Sequence, residues 1–173
     1  MIKNDESHFI HTIKKGIAKK IISLSSDESK ITYHGSRPFK VNFKDPEEKI
    51  RAAYFTELVI DYLYPTKKID FEVVVPRRTP SDRADIVIYE DEELKKPFLV
   101  VECKKDGISD EEYKQSIEQA FGNANSLRSK YASVVAGITR TSFDVANFNP
   151  QEREKMSFQT FLKNMVKPQN SDL

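Results

Sequence analysis

The chain has 173 residues, of which 38% are apolar and 32% are charged, a composition typical of a globular domain that buries its own core. Because 28 lysines and arginines oppose 27 acidic residues, the net charge is only +1, which excludes attraction of nucleic acid by an overall positive field and leaves local patches. The single cysteine excludes an internal disulfide, and no apolar run approaches the ~18 residues of a membrane span. We therefore expect a soluble cytoplasmic protein with no membrane partner.

The first 44 residues are expected to form an extension ahead of the main domain. Apolar residues recur at helical spacing over residues 3–24 and predict an amphipathic helix. A Gly-Ser turn signal within residues 31–41 favours a short hairpin. The next helix should begin at Asp45 and Pro46, which suit the N-cap and the first helical position, and run to about residue 64, where Pro65 stops it.

Helix phase separates two glutamates on this second helix. Glu48 projects into the apolar stripe formed by residues such as Phe55 and Leu58, whereas Glu57 falls on the opposite side. Glu48 is therefore the better candidate for an inward-facing carboxylate. A first-turn glutamate favoured by the helix dipole is an equally good explanation of this residue.

Four β-rich runs predict the strands of a central sheet: residues 69–75, 84–90, 98–104 and 131–138. The short acidic turn after the second run favours an antiparallel hairpin with the third. A helix over residues 110–129, capped by Ser109, separates the third run from the fourth and favours parallel pairing of these two. The remaining residues, 141–173, are polar and predict a helical segment, with a helix near residues 157–166, or a linker.

Charged residues at two strand ends indicate a candidate functional site. Since side chains alternate along a strand, Glu102 and Lys104 share one face, and Cys103 points away from them and is a poor candidate for a nucleophile. The antiparallel hairpin brings Asp85 to the same end. Two neighbouring carboxylates repel each other unless they are protonated or bridged by a hard cation such as Mg²⁺. A simple ion pair closing the strand end is the alternative.

Three arginines precede Asp85 in a polar loop bounded by prolines. Arg77, Arg78 and Arg83 could grip phosphate groups there, or they could belong to a solvated loop. The chain contains no P-loop, no dinucleotide-binding glycine motif and no serine nucleophile elbow.

Four segments in this order resemble the PD-(D/E)xK nucleases, and more narrowly the N-terminal nuclease domain of type I restriction enzyme R subunits. They are residues 45–51, 83–89, 99–104 and 118–120, and the resemblance covers about residues 45–140. It implies an α/β (α+β) fold with a mixed four- to five-stranded sheet flanked by helices. It also implies three parts: an extension over 1–44, a nuclease core over 45–140, and a C-terminal segment over 141–173.

The resemblance also implies a site that cleaves DNA phosphodiesters with Mg²⁺, for which Mn²⁺ could substitute. Asp85, Glu102 and the backbone carbonyl of Cys103 would bind the ion, and Lys104 would position the attacking water. Glu48 matches the glutamate of the family's first core helix, and Gln119 matches a glutamine that supports the site and DNA binding. The chain departs from the family pattern at Ala84, where proline is usual, and at Asn123, where an aromatic residue often lies.

The leading hypothesis is the endonuclease module of a restriction system that acts on double-stranded DNA. Its partners would be motor, methyltransferase and specificity subunits or domains. One alternative is a catalytically idle module of the same fold that binds DNA or docks a subunit. Another is a repair or junction-resolving nuclease, which would use the same chemistry on a different substrate.

Overall fold

A computed structural model describes residues 2–76 and 82–146, with side chains from His8 onward. It contains three helices: α1 (Ile2–Ala18), α2 (Pro46–Ile60) and α3 (Asp110–Leu127). It contains eight strands: β1 (Ile22–Leu24), β2 (Lys30–His34), β3 (Pro38–Asn42), β4 (Ile69–Val75), β5 (Asp82–Tyr89), β6 (Pro97–Lys104), β7 (Tyr131–Ala136) and β8 (Thr139–Asp144). Within these described residues, no helix is both long and apolar enough to cross a membrane. The helix predicted near residues 157–166 lies outside them.

The central sheet has five strands in the order β4-β5-β6-β7-β8. Strands β5 and β6 pair antiparallel across a short turn, whereas β6 and β7 pair parallel because α3 carries the chain back between them. Both pairings agree with the sequence prediction, and the mixed α/β fold resembling restriction endonucleases is confirmed. The first three strands form a separate antiparallel sheet in the order β1-β2-β3.

The two faces of the central sheet are covered by different helices. Ile86 and Val101 pack in one core with α1, α2 and the N-terminal sheet, whereas Val87 and Val100 pack in a second core with α3. Alternation along β5 and β6 thus divides their apolar residues between two cores, as expected for a sheet buried on both sides. Cys103 is buried in the first core, in agreement with its predicted orientation away from Glu102.

Helix α1 is shorter than predicted. It ends at Ala18 rather than near residue 24, because Lys20 adopts a left-handed conformation with φ of 59°. The amides of Lys20 and Ile21 donate to the carbonyls of Ile17 and Gly16, which is a Schellman ending. The apolar residues that continue the helical pattern instead form β1.

Strand β8 was not predicted, and it adds the fifth strand to the central sheet. A two-residue turn follows Ala136, and Gly137 accommodates its positive φ of 57°. The strand is rich in threonine and serine, so it lacks an apolar run. Phe143 is fully buried nonetheless, and the Ser142 hydroxyl donates to the Ser133 hydroxyl at 2.9 Å.

Candidate functional site

The candidate site lies where β5 and β6 separate. Their paired register reaches only Ile86 and Val101 at this end of the hairpin. Beyond that pair, the Cys103 amide donates to Asp85 Oδ2 at 2.6 Å instead of to a backbone carbonyl. The Asp85 carboxylate therefore fills the gap between the two strands, beside the residues that follow Val101.

Glu102 and Lys104 form an ion pair on one face of β6, as strand alternation predicts. Lys104 Nζ lies 2.8 Å from Glu102 Oε1, and Glu102 is only 2% exposed. The other oxygen, Glu102 Oε2, is buried and has no hydrogen-bond partner among the described residues. Burial, followed by the charge of Asp85, raises the pKa of Glu102 to about 8. Burial acts in the opposite direction on Lys104, but Glu102 still raises the pKa of this lysine, which stays charged.

Helix α2 contributes Glu48 from its first turn. Asp45 caps the helix by accepting the Glu47 amide at 3.0 Å, and Pro46 occupies the first helical position, as predicted. Glu48 turns inward and is 4% exposed, and its Oε1 accepts a hydrogen bond from the Tyr33 hydroxyl of β2. Burial raises the pKa of Glu48.

Glu57 is also buried, although helix phase places it away from the apolar stripe. Helix α1 and the end of the central sheet cover this second side of α2. Arg140 of β8 binds both Glu57 oxygens, with Nη2 at 2.5 Å and 2.7 Å from Oε1 and Oε2. This ion pair belongs to the packing of α2 and does not contact Glu48 or Asp85.

Arg51 connects three carboxylates at the site. Its guanidinium lies 2.5 Å from Asp85 Oδ1, 2.7 Å from Glu72 Oε1 and 3.3 Å from Glu48 Oε2, and the residue is 7% exposed. Burial disfavours the charge, but Asp85 and Glu48 more than compensate and raise the pKa of Arg51, so it remains a cation. Arg51 lies one helical turn from Glu48, and that spacing was the only local signal of its role.

Glu72 is a site neighbour that sequence reasoning missed. It lies on β4 in a left-handed conformation, with φ of 49°, between Phe71 and Val73, which keep regular pairing with β5. Its carbonyl accepts a hydrogen bond from Arg83 Nη1 at 3.1 Å. A non-glycine residue with positive φ inside a strand is strained, and such strain often lies at functional sites.

The charges of this cluster favour a divalent cation. Glu48, Glu72, Asp85 and Glu102 supply four carboxylates, against the two cations Arg51 and Lys104. The cluster therefore has an excess of two negative charges when all four acids are ionised. Carboxylate and carbonyl oxygens are the ligands that Mg²⁺ prefers, and the unpartnered Glu102 Oε2 is such an oxygen.

The described residues contain no ready-made group of three or more His, Cys, Asp or Glu side chains that could hold a metal ion. The predicted ligand set has only two carboxylates, those of Asp85 and Glu102, because its third member is the Cys103 carbonyl. Arg51 also occupies one Asp85 oxygen. The oxygen ligands of the site thus fit a hard cation, although Asp85 and Glu102 already form ion pairs with Arg51 and Lys104.

The remaining predicted site residues are Gln119 and the three arginines. Gln119 of α3 lines a cleft of about 550 Å³ together with Glu47 and Lys104, and its amide lies 3.4 Å from Asp82. Arg83 points to the β4 backbone, and Arg77 and Arg78 lie outside the described residues.

Asn123, one turn after Gln119 on α3, is fully buried. Its side-chain amide has no hydrogen-bond partner within the part of the chain that is described. The Asn123 side chain therefore lies in the protein interior and does not line the cleft.

Comparison with known protein families places these elements in one family. The model of the type I restriction enzyme R protein N terminus matches residues 46–158, more than half of the 173 residues. A comparison with curated proteins and another with solved structures gave no match. The matched region includes α2, the five-stranded sheet and α3, and with them all four carboxylates and both cations of the cluster; Tyr33, which donates to Glu48, lies outside it. The chain belongs to the family of type I restriction enzyme R protein N-terminal domains.

Proposed function

We propose that this chain is the Mg²⁺-dependent DNA endonuclease module of a cytoplasmic restriction system. The observation that supports this most directly is the convergence of Asp85, Glu102 and Lys104 at the separated ends of β5 and β6, where one buried Glu102 oxygen lacks a partner among the described residues. A buried, charged cluster with a strongly raised carboxyl pKa is typical of a functional site.

In the proposed reaction, Asp85, Glu102 and the Cys103 carbonyl hold the cation. When bound, Mg²⁺, or Mn²⁺ in its place, polarises a phosphoryl oxygen and makes the attacking water more acidic. Lys104 stays protonated beside Glu102, so its role is to orient the water and stabilise negative charge, and it is not a general base. Glu48 supports the cluster from α2.

Double-stranded DNA is the proposed substrate, and its scissile phosphate would enter the cleft between the start of α2 and α3. Lys104 and Lys105 line this cleft with Gln119, and they are its two cations beside the acidic residues Asp45, Glu47 and Glu112. Contacts to phosphate position DNA without reading its sequence. Sequence recognition, translocation and methylation are therefore assigned to the partner subunits or domains of a restriction complex.

Substitutions at the strand ends test the nuclease proposal. Asp85→Asn and Lys104→Ala should each reduce Mg²⁺-dependent nicking of supercoiled DNA by about 100-fold or more, because each removes a charge from the reacting region. Lys95→Ala is the matched control, since Lys95 is exposed in the turn at the other end of the same hairpin. Circular dichroism verifies folding, and cleavage that survives either site substitution contradicts the assignment.

An idle DNA-binding or docking module is the second candidate. The ion pair between Arg51 and Asp85 favours it, because this carboxylate already has a cation as its partner. Such a module would bind DNA with no need for a metal. Calorimetric titration separates the two functions independently of cleavage. The nuclease proposal expects Mg²⁺ or Mn²⁺ binding that Asp85→Asn abolishes, whereas the idle module expects no binding even at millimolar concentrations.

A further inference from the structure

Arg51 is placed where the proposed metal ion would act. Both oxygens of Asp85 are engaged, Oδ1 by Arg51 at 2.5 Å and Oδ2 by the Cys103 amide at 2.6 Å. A guanidinium is a permanent cation, and its charge opposes a second cation bound to the same carboxylate. A divalent ion therefore binds Asp85 without this opposing charge only if Arg51 gives up its contact with Oδ1.

Glu72 provides the place to which Arg51 can move. The same nitrogen, Arg51 Nη2, lies 2.7 Å from Glu72 Oε1, so the guanidinium is already shared between Glu72 and Asp85. The left-handed conformation of Glu72 and the hydrogen bond from Arg83 to its carbonyl hold this residue in its strained place on β4. Glu48, fixed by the Tyr33 hydroxyl, contacts Nη1 on the other side.

We propose that Arg51 is the resident counter-cation of the site: it neutralises Asp85 in the metal-free protein and withdraws to Glu72 and Glu48 when a divalent cation binds Asp85. This inference rests on the proposed metal-dependent function. Arg51 acts through Asp85 and so is a positioning residue, and Glu72 is the residue that receives it. In the resting protein the arrangement keeps the carboxylates together without a metal ion.

The full chain carrying Arg51→Met tests the proposal, because methionine keeps much of the side-chain volume and removes the charge. Without metal, in the presence of a chelator, the thermal midpoint should fall, since buried carboxylates lose their cation. Mn²⁺ should bind about fivefold or more tightly by calorimetry, and Mg²⁺ should raise the midpoint more than in the wild-type protein. A residue with a merely structural role would not increase metal affinity when removed.

Arg140→Met is the matched control. Arg140 forms a part-buried ion pair with Glu57 on the other side of α2, away from Asp85. It should lower the thermal midpoint but leave the affinity for Mn²⁺ and the Mg²⁺-induced rise in midpoint unchanged. A change in affinity shared by both variants would mean a general effect of destabilisation and would overturn the proposal.

Glu72→Gln provides a second variant that keeps the side-chain size. Arg51 then has only Asp85 and Glu48 as ionic partners, so Mn²⁺ should bind several-fold more weakly than to the wild type; unchanged affinity would overturn the role of Glu72. Metal binding by the wild type that is equal to or tighter than binding by Arg51→Met overturns the counter-cation proposal alone. Absence of binding in all three proteins overturns the nuclease proposal and this one together.

Discussion

At the scale of single residues, the ionisation of Glu102 decides the charge of the candidate site. Its pKa of about 8 lies far above the ordinary value of 4.5, so the folded protein binds this proton more tightly than the unfolded chain does. The resulting stabilisation of the metal-free protein is complete below about pH 4.5 and is lost as the pH rises to about 8. A metal ion prefers the ionised carboxylate and therefore competes with this proton.

Metal affinity should accordingly increase with pH. We expect the Mn²⁺ association constant to rise between pH 6 and pH 8 by up to about tenfold per unit, with release of up to about one proton per bound ion. Calorimetry in buffers with different ionisation enthalpies measures both quantities. Glu102→Gln should weaken binding and remove most of the pH dependence. Affinity that is constant over this range in the wild-type protein would contradict the role of Glu102.

At the scale of elements, α2 joins the N-terminal sheet to the site through Glu48. The Tyr33 ring of β2 packs against Phe55 of α2 and Phe71 of β4, at ring-centre distances of 5.5 Å and 4.6 Å. Its hydroxyl donates to Glu48. Tyr33 lies outside the residues matched by the family model, so a residue of the extension over residues 1–44 positions Glu48.

Removal of this hydroxyl should destabilise the protein. Tyr33→Phe leaves the ring contacts intact but deprives the buried Glu48 oxygen of its donor, which should lower the free energy of unfolding by about 1–3 kcal/mol. Tyr62→Phe is the control, because Tyr62 lies just after α2 and is only partly buried. It should change stability by less than about 0.5 kcal/mol. Denaturant unfolding gives both values, and equal losses would contradict the proposed contact.

Local sequence patterns account for most of these elements but not for their long-range contacts. Asp45 and Pro46 predict the start of α2 because capping depends on adjacent residues. The charge of Glu57 suggests exposure, yet α1 and Arg140 cover it from distant parts of the chain. Lys20 ends α1 without the glycine that usually marks such a turn, so the sequence has no signal there.

The same distinction between local patterns and long-range contacts applies to the candidate site. Alternation along β6 predicts the shared face of Glu102 and Lys104, and the hairpin predicts the approach of Asp85. The contact between Arg51 and Glu72 joins α2 to an irregular position in β4, and neither helical nor strand periodicity reports such a position. Sequence patterns therefore identify the charged groups at the strand ends, whereas three-dimensional structure is needed to find the arginine between them.

At the scale of the whole molecule, the extension over residues 1–44 and the predicted nuclease core share one hydrophobic core. Ile22 and Ile31 of the small sheet are buried in the same cluster as Phe55 and Phe71. Helix α1 lies close against α2, since a Cβ at Gly16 would come within 2.5 Å of the Thr56 hydroxyl oxygen. We therefore expect the extension to stabilise the core and not to fold as an independent unit.

Two isoleucines of the extension provide a matched test of this expectation. Ile31 on β2 of the small sheet is fully buried, whereas Ile10 on α1 is 46% exposed. Ile31→Ala should cost about 2–5 kcal/mol of the free energy of unfolding of the full chain, and Ile10→Ala should stay within about 0.5 kcal/mol. If the extension were a separate unit, Ile31→Ala would produce an additional early transition and leave the main transition in place. A single cooperative transition shifted to lower denaturant concentration would instead show that both sheets belong to one folding unit, because the loss of packing in one sheet then destabilises both.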